Sequence, residues 1–107
     1  MARKKLETLT EQMFYVLLAL RSERHGYGIM QYVSQLTQER VTIGAGTLYA
    51  LLDRFEKDGY IHRTRTVENR KYYLISKEGE ERLQQEYHRI QQQARDMEQA
   101  LREEEHG

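Results

Sequence analysis

Residues 44–59 read GAGTLYALLDRFEKDG, and this stretch decides how the rest of the chain is interpreted. Leucine and phenylalanine recur in it at steps of three and four residues, the spacing of one buried stripe along a helix. Glycines at its ends predict a tight turn into the helix and a left-handed C-cap at Gly59. The opposite face carries small and hydrogen-bonding side chains that fit a DNA major groove, although an ordinary surface helix would carry them too. They are Thr47, Tyr49, Ala50, Asp53, Arg54 and Lys57.

The composition limits what the chain can be. It has 107 residues and contains no cysteine, proline or tryptophan. A chain of this length forms one domain with a small core, so a partner chain is expected to add to its stability. The absence of cysteine excludes thiol catalysis and fits a reducing compartment. No apolar run approaches the roughly 18 residues of a membrane span, and no signal peptide is predicted. We therefore expect a cytoplasmic protein without a membrane partner.

Charge is divided unevenly along the chain. Up to Lys77 there are 13 Lys and Arg against 8 Asp and Glu, whereas from Glu78 onward there are 4 against 9. The net charge of zero therefore results from a basic N-terminal part and an acidic C-terminal part that cancel. This distribution suits a module that presents one end to phosphate.

Two more helices are predicted before the central one. Thr8 and Glu11 have the spacing of a capping box, which predicts a helix start. Gly26–Gly28 forms a predicted turn into a second helix, and Val41–Ile43 is long enough only for a bridging strand. The order helix, helix, turn, helix predicts a helix-turn-helix unit. The apolar stripe of the first helix consists of Leu9, Met13, Val16, Leu17 and Leu20.

After Gly59 the pattern changes to that of a β-hairpin. Two segments, 60–66 and 71–75, are rich in aromatic and β-branched residues and flank a polar turn at 67–70. The cations around its tip are Arg63, Arg65, Arg70 and Lys71. A wing would place these cations beside a phosphate backbone. An edge hairpin that uses charge to prevent edge pairing would carry the same residues.

A long last helix is predicted to begin at Ser76. Apolar residues recur in it at alternating steps of four and three, which is the rhythm of a coiled coil. These residues are Leu83, Tyr87, Ile90, Ala94, Met97 and Leu101. The preceding segments offer too little apolar surface to cover this helix, so we expect it to pack against a second copy. The predicted fold is mainly α with a small β-hairpin: a winged helix-turn-helix domain over 1–76 and a C-terminal dimerisation helix over 77–107, in one compact unit.

Five stretches of the sequence carry a resemblance to known proteins: Leu9–Leu20, His25–Ile29, Gly44–Tyr49, Leu52–Ile61 and Arg70–Tyr73. With them the chain resembles a known family, the PadR-type transcriptional regulators, named for the phenolic acid decarboxylase regulator. The small size and single last helix resemble the short subfamily. The resemblance implies a homodimeric repressor whose third helix reads the major groove while the wing touches the flanking backbone. By resemblance, Tyr27, Thr47 and Tyr49 are phosphate or groove contacts, and Arg70 and Lys71 are wing contacts.

The resemblance also suggests a small-molecule effector. Some relatives bind planar aromatic drugs or phenolic acids near the dimer interface, and one subgroup stacks them on a tryptophan that this chain lacks. An apolar effector pocket could be formed here by Met13, Phe14, Tyr87, Ile90 and Met97. The same residues at helical spacing also fit a plain core.

We expect neither catalysis nor a metal or cofactor, because the four histidines lack ligand spacing and no glycine loop has the phosphate-binding form. The predicted function is that of a sequence-specific DNA-binding transcriptional regulator: a repressor acting as a homodimer on a palindromic operator and released by a small aromatic effector. The alternatives are a protein-interaction module that keeps the winged-helix shape and a non-specific architectural DNA binder. The predicted DNA-binding residues are Tyr27, Thr47, Tyr49, Ala50, Arg54, Arg63, Arg65, Arg70 and Lys71.

Overall fold

The structure is a computed structural model that describes residues 8–106, without the side chain of His106. Within this range the chain forms four helices and a three-stranded antiparallel sheet, which confirms the predicted fold class. The elements are α1 Glu11–Ala19, β1 Arg24–His25, α2 Gly26–Leu36, α3 Ala45–Lys57, β2 Ile61–Val67, β3 Arg70–Ile75 and α4 Lys77–His106.

Helix α1 lies at the centre of the core. Its predicted apolar stripe is buried, and Val16 and Leu17 have no exposed surface. The helix begins two residues later than the capping-box prediction, because Thr10 rather than Thr8 is the N-cap. The Thr10 hydroxyl oxygen accepts a hydrogen bond from the backbone N–H of Met13 at 3.1 Å.

The turn between α2 and α3 is fixed by a buried threonine. The Thr37 hydroxyl donates to the carbonyl of Val33 at 2.8 Å and accepts from the backbone N–H of Val41 at 3.1 Å. Gln38 and Glu39 both have left-handed backbone conformations, with φ of 52° and 64°. The bridging strand predicted at 41–43 is wrong: this segment is irregular and is held by its buried apolar side chains instead.

The sheet has the strand order β1-β3-β2. Its third strand is β1, which was not predicted; Arg24 and His25 pair with Tyr73 and Tyr72 of β3. Strands β2 and β3 form the predicted hairpin, and Gly59 precedes it with the predicted positive φ of 80°.

Helix α4 has two halves with different surroundings. The Ser76 side chain accepts from the N–H of Gly79 at 3.0 Å and so caps the helix start, as predicted. The first half packs against α1 of the same chain, which contradicts the expectation that its own chain could not cover it. Residues 92–105 are exposed.

A buried carboxylate ties α4 to the start of α1. Glu86 is 1% exposed, accepts from the backbone N–H of Leu9 at 3.3 Å, and lies in ion pairs with Arg82 and Arg89. Burial raises the pKa of Glu86, but the hydrogen bonds from Arg89 and Leu9 and the two positive charges outweigh it. The net effect is a pKa below the usual glutamate value.

Candidate nucleic-acid interface

Helix α3 presents an exposed ridge on the side opposite the core. Leu48, Leu52 and Phe55 are at most 1% exposed and anchor the inner side. The outer ridge follows the spacing 4-3-4 and consists of Gly46, Ala50, Asp53 and Lys57, all of which are exposed. Such a ridge, held rigidly from behind, can enter a major groove.

The start of α3 is open and has no side-chain cap. Gly44 is the N-cap residue, with an ordinary φ of −72°. A Cβ added to Gly44 or Gly46 would meet nothing within 4 Å. The predicted need for glycine freedom in this turn is therefore wrong, because any residue can adopt this backbone. Thr47 and Tyr49 are exposed beside this start.

A cleft of about 330 Å³ joins the starts of α2 and α3 to the wing tip. It brings together four of the predicted DNA-binding residues, Tyr27, Tyr49, Arg70 and Lys71. The same cleft is lined by His25, Gly26, Asn69 and Tyr73, which the sequence analysis did not assign to it.

Gly26 permits the close approach of two elements at this cleft. A Cβ at this position would lie 2.8 Å from the hydroxyl oxygen of Tyr49 and 3.1 Å from its ring carbon Cζ. These distances are shorter than ordinary contacts, so only glycine leaves room for the Tyr49 ring in this position. Nothing in the sequence pattern indicates this contact, because Tyr49 lies four residues into a helix of regular periodicity.

His25 caps α2 within the same cleft. Its Nδ1 accepts from the backbone N–H of Gly28 at 3.2 Å, and its ring packs edge-on against Tyr72 with centroids 5.2 Å apart. The acceptor role of Nδ1 requires the uncharged imidazole with its proton on Nε2. His25 thus holds the first turn of α2 in place beside the wing.

The wing tip is a two-residue turn in which Glu68 and Asn69 both have positive φ, 50° and 67°. Positive φ at both positions is the signature of the hairpin turn that suits twisted strands. Arg70 and Lys71 follow directly and are exposed. In the described part of the chain, neither cation has a carboxylate partner within salt-bridge distance.

The other two predicted wing cations are engaged within the chain. Arg65 Nε lies 3.0 Å from Glu23 Oε1, and its guanidinium stacks 4.2 Å above the Tyr72 ring. Arg63 lies 3.5 Å from Glu56. The hydrogen bond from Thr64, together with the charge of Arg65, lowers the pKa of Glu23, so this partner is charged at neutral pH.

Arg54 lies beside the ridge rather than on it. Its side chain is 39% exposed, and Nε lies 3.8 Å from Asp58 Oδ2. Nε is buried without a hydrogen-bond partner. Arg54 thus stays near the ridge with part of its guanidinium still available.

The predicted effector residues are only partly brought together. Phe14, Tyr87 and Ile90 line a cleft of about 390 Å³ between α1 and α4. Two members of the prediction are corrected: Met13 is buried in the core at 9% exposure, and Met97 does not line this cleft because it lies further along the exposed half of α4.

The predicted dimerisation residues also divide into two groups. Leu83 is 3% exposed and belongs to the core of its own chain, so its assignment to an interface with a second copy is corrected. The others remain outside the core. Tyr87, Ile90, Met97 and Leu101 are 40–59% exposed, and Ala94 is exposed.

No group of three or more potential metal ligands lies together within residues 8–106. None of the helices described is long and apolar enough to cross a membrane.

A helix-turn-helix with an outward ridge, followed by a basic wing, defines a winged helix-turn-helix DNA-binding protein. The sequence matches the model of the transcriptional regulator PadR-like family over residues 16–85. The chain belongs to this family of transcriptional regulators, which bind DNA and are not enzymes.

Solved structures have the same fold. A transcriptional regulator from Clostridium thermocellum is 26% identical with a TM-score of 0.71, covering 83% of this chain and 90% of that one. A PadR family regulator from Eggerthella lenta is 26% identical with a TM-score of 0.70, covering 84% and 80%. Bacillus subtilis PadR in complex with operator DNA is similar in fold, at 22% identity and a TM-score of 0.63, covering 69% and 45%. No curated protein matches the sequence.

Proposed function

We propose that the chain is a sequence-specific repressor that binds a palindromic operator as a homodimer. The observation that carries this proposal is the cleft in which Tyr27, Tyr49, Arg70 and Lys71 converge. Two tyrosine hydroxyls and two cations that have no carboxylate partner among the described residues form a surface suited to phosphate oxygens. The α3 ridge lies beside this surface, so phosphate contacts would hold the ridge in register over the bases.

The predicted DNA-binding residues have different roles in this proposal. Thr47 and Tyr49 contact the groove wall at the start of α3, while Ala50 and Arg54 influence base preference. Arg70 and Lys71 bind the flanking backbone. Arg63 and Arg65 contribute mainly long-range attraction, because each already faces a carboxylate of its own chain.

Dimerisation is proposed to use the exposed apolar residues of α4 between Tyr87 and Leu101. Large apolar side chains at heptad spacing, Tyr87, Ile90, Met97 and Leu101, stand on a helix that is otherwise polar, with Ala94 between them. Covering them with a second copy would remove this apolar surface from water. Two copies related by a two-fold axis would present two ridges to half-sites about one helical turn apart, roughly 10 bp.

A dimer seated on an operator would repress transcription by occluding the promoter, and this regulator would act in the cytoplasm. A small aromatic or phenolic effector is proposed to bind the cleft of Phe14, Tyr87 and Ile90. A molecule there would alter the angle between α4 and α1, and with it the spacing of the two ridges. Calorimetry against planar cationic and phenolic compounds tests this part: no heat above dilution for any compound would contradict it.

The proposal is tested by selecting bound duplexes from a random DNA pool at two salt concentrations. We expect enrichment of a palindrome, and weaker retention at the higher salt because each neutralised phosphate releases roughly 0.9 counterions. Retention at low salt without enrichment would instead identify a non-specific architectural binder. No retention at either salt would favour a protein-interaction module.

A further inference from the structure

Only one residue of the outer ridge of α3, Asp53, has a side chain that can accept a hydrogen bond from a base edge in the groove. Gly46 and Ala50 have no side chain that could hydrogen-bond a base. Asp53, two turns and about 10 Å along the axis from Gly46, is the first polar residue of the ridge. Its side chain is 66% exposed and directed away from the core.

A carboxylate at this position weakens the binding of a helix to DNA unless a hydrogen-bond donor of the DNA contacts it. It approaches the negative phosphates on both sides of the groove, and an ionised carboxylate can only accept hydrogen bonds. In the major groove, guanine offers only the acceptors N7 and O6, and thymine offers only the acceptor O4. Adenine offers an amino donor, but its N7 acceptor lies beside that donor. Cytosine presents the N4 amino donor, which is the complement of Asp or Glu.

We propose that Asp53 reads the N4 amino group of a cytosine in each operator half-site, and so disfavours the other three bases there. This inference rests on the proposed function, because it requires the ridge to enter a major groove. It adds a specificity-determining residue to those named above.

The neighbour of Asp53 supports this role. Lys57 Nζ lies 3.1 Å from Asp53 Oδ2, one turn further along the same ridge. The lysine holds one carboxylate oxygen in place and offsets the charge that the phosphates would repel.

Helix α3 also provides a matched control. Asp58, at the C-cap of α3, is a carboxylate only 18% exposed that faces Arg54 and lies off the ridge. Replacing either aspartate by asparagine removes one negative charge from the same helix. Only the change at Asp53 removes the carboxylate that is proposed to face the bases.

The experiment repeats the duplex selection with the wild-type chain, Asp53→Asn and Asp58→Asn. The wild-type chain and Asp58→Asn are expected to enrich cytosine at one symmetric position of the palindrome. Asp53→Asn is expected to shift that position toward adenine, whose N6 and N7 pair with an amide. Asp53→Ala should leave the position unselected.

Titrations of the selected operator supply the magnitude. Replacing the chosen cytosine should weaken wild-type binding roughly tenfold per half-site and leave Asp53→Ala nearly unaffected. An unchanged preference in both Asp53 variants, with folding verified by thermal unfolding, would overturn the inference while the proposed function stands. Absence of any palindrome for the wild-type chain would overturn both.

Discussion

At the scale of single residues, the wing cations differ in what they already contact. Arg65 faces Glu23 at 3.0 Å and stacks on Tyr72, whereas Arg70 has no carboxylate partner in the described part of the chain. A cation that is free before binding can neutralise a phosphate without first breaking an ion pair. The structure therefore ranks Arg70 above Arg65 as a phosphate contact.

We expect Arg70→Ala to weaken binding to all duplexes alike, because a phosphate contact carries no sequence information. The slope of log K against log salt should become shallower by about 0.9. Arg65→Ala, measured by the same anisotropy titrations, should change the slope much less. Equal changes of slope for the two variants would contradict the ranking.

Gly26 leads to a prediction about affinity without a loss of folding. Gly26→Ala adds a methyl group 2.8 Å from the Tyr49 hydroxyl, so the ring must move out of the cleft. Operator affinity should fall roughly tenfold, about 1.4 kcal/mol, as a phosphate contact is lost. The control is Gly28→Ala in the same turn, where the nearest atom outside the backbone lies at 3.6 Å and no affinity change is expected. Thermal unfolding should show both variants folded.

The structure brings Tyr27, Tyr49, Arg70 and Lys71 to one cleft, while their contacts with DNA stay predictions from the sequence. The sequence could not reveal which cations are already paired. Glu23 is 42 residues from Arg65, and their contact depends on how the sheet, in the order β1-β3-β2, brings the residue before β1 close to β2. Long-range pairs of this kind leave no local pattern.

At the scale of elements, the long helices and the hairpin were predictable because their periods of 3.6 and 2 persist over many residues. The errors concern shorter features. Strand β1 has two residues and exists only through its pairing with β3, so it carries no period of its own. Thr8 and Thr10 are both of a residue type that favours the N-cap position, and only Thr10 takes it.

The junction of α1 and α4 depends on Glu86. Glu86→Gln should lower the free energy of unfolding by about 3 kcal/mol, because Arg82 and Arg89 lose their buried counter-charge. Glu81→Gln, an exposed position on the same helix, should have little effect. Urea unfolding at neutral pH checks both, and equal stability of the two variants would contradict the role of this carboxylate.

The same carboxylate predicts a dependence on pH. Its pKa is lower in the folded chain than the usual value near about 4.3, so the folded state gains stability from it above that pH. This gain should be lost as the pH falls through the lower, folded value. The stability difference between the wild-type chain and Glu86→Gln should therefore shrink on acidification; a difference that is constant from neutral pH into acid would contradict this assignment.

At the scale of the whole molecule, the net charge of zero misrepresents the surface. The basic half of the sequence includes the wing and α3, while the acidic half is nearly all of α4. The proposed dimer would keep two basic faces on the DNA and direct its acidic tails elsewhere. The sequence alone could not show that the two halves of α4 have different surroundings. One half packs in the core of the same chain, and the other half is exposed.

A charge placed in the proposed dimer interface should separate the dimer. This interface, called the seam below, consists of Tyr87, Ile90, Ala94, Met97 and Leu101. Met97 is 59% exposed, and Met97→Glu would set two carboxylates against each other in the interface. We expect a monomer in sedimentation velocity, with operator affinity lower by roughly two orders of magnitude because the half-sites are no longer bound together. Gln99→Glu adds the same charge off the seam and should remain a dimer. A dimeric Met97→Glu variant would exclude this seam.

The central claim is that two linked copies read two half-sites. Its most direct test is to titrate the wild-type chain against the selected palindrome and against a duplex in which one half-site is scrambled, with the mass of each complex measured. We predict two copies on the palindrome, bound cooperatively, and an affinity roughly two orders of magnitude lower for the scrambled duplex. A single copy bound to both duplexes with equal affinity would contradict the account.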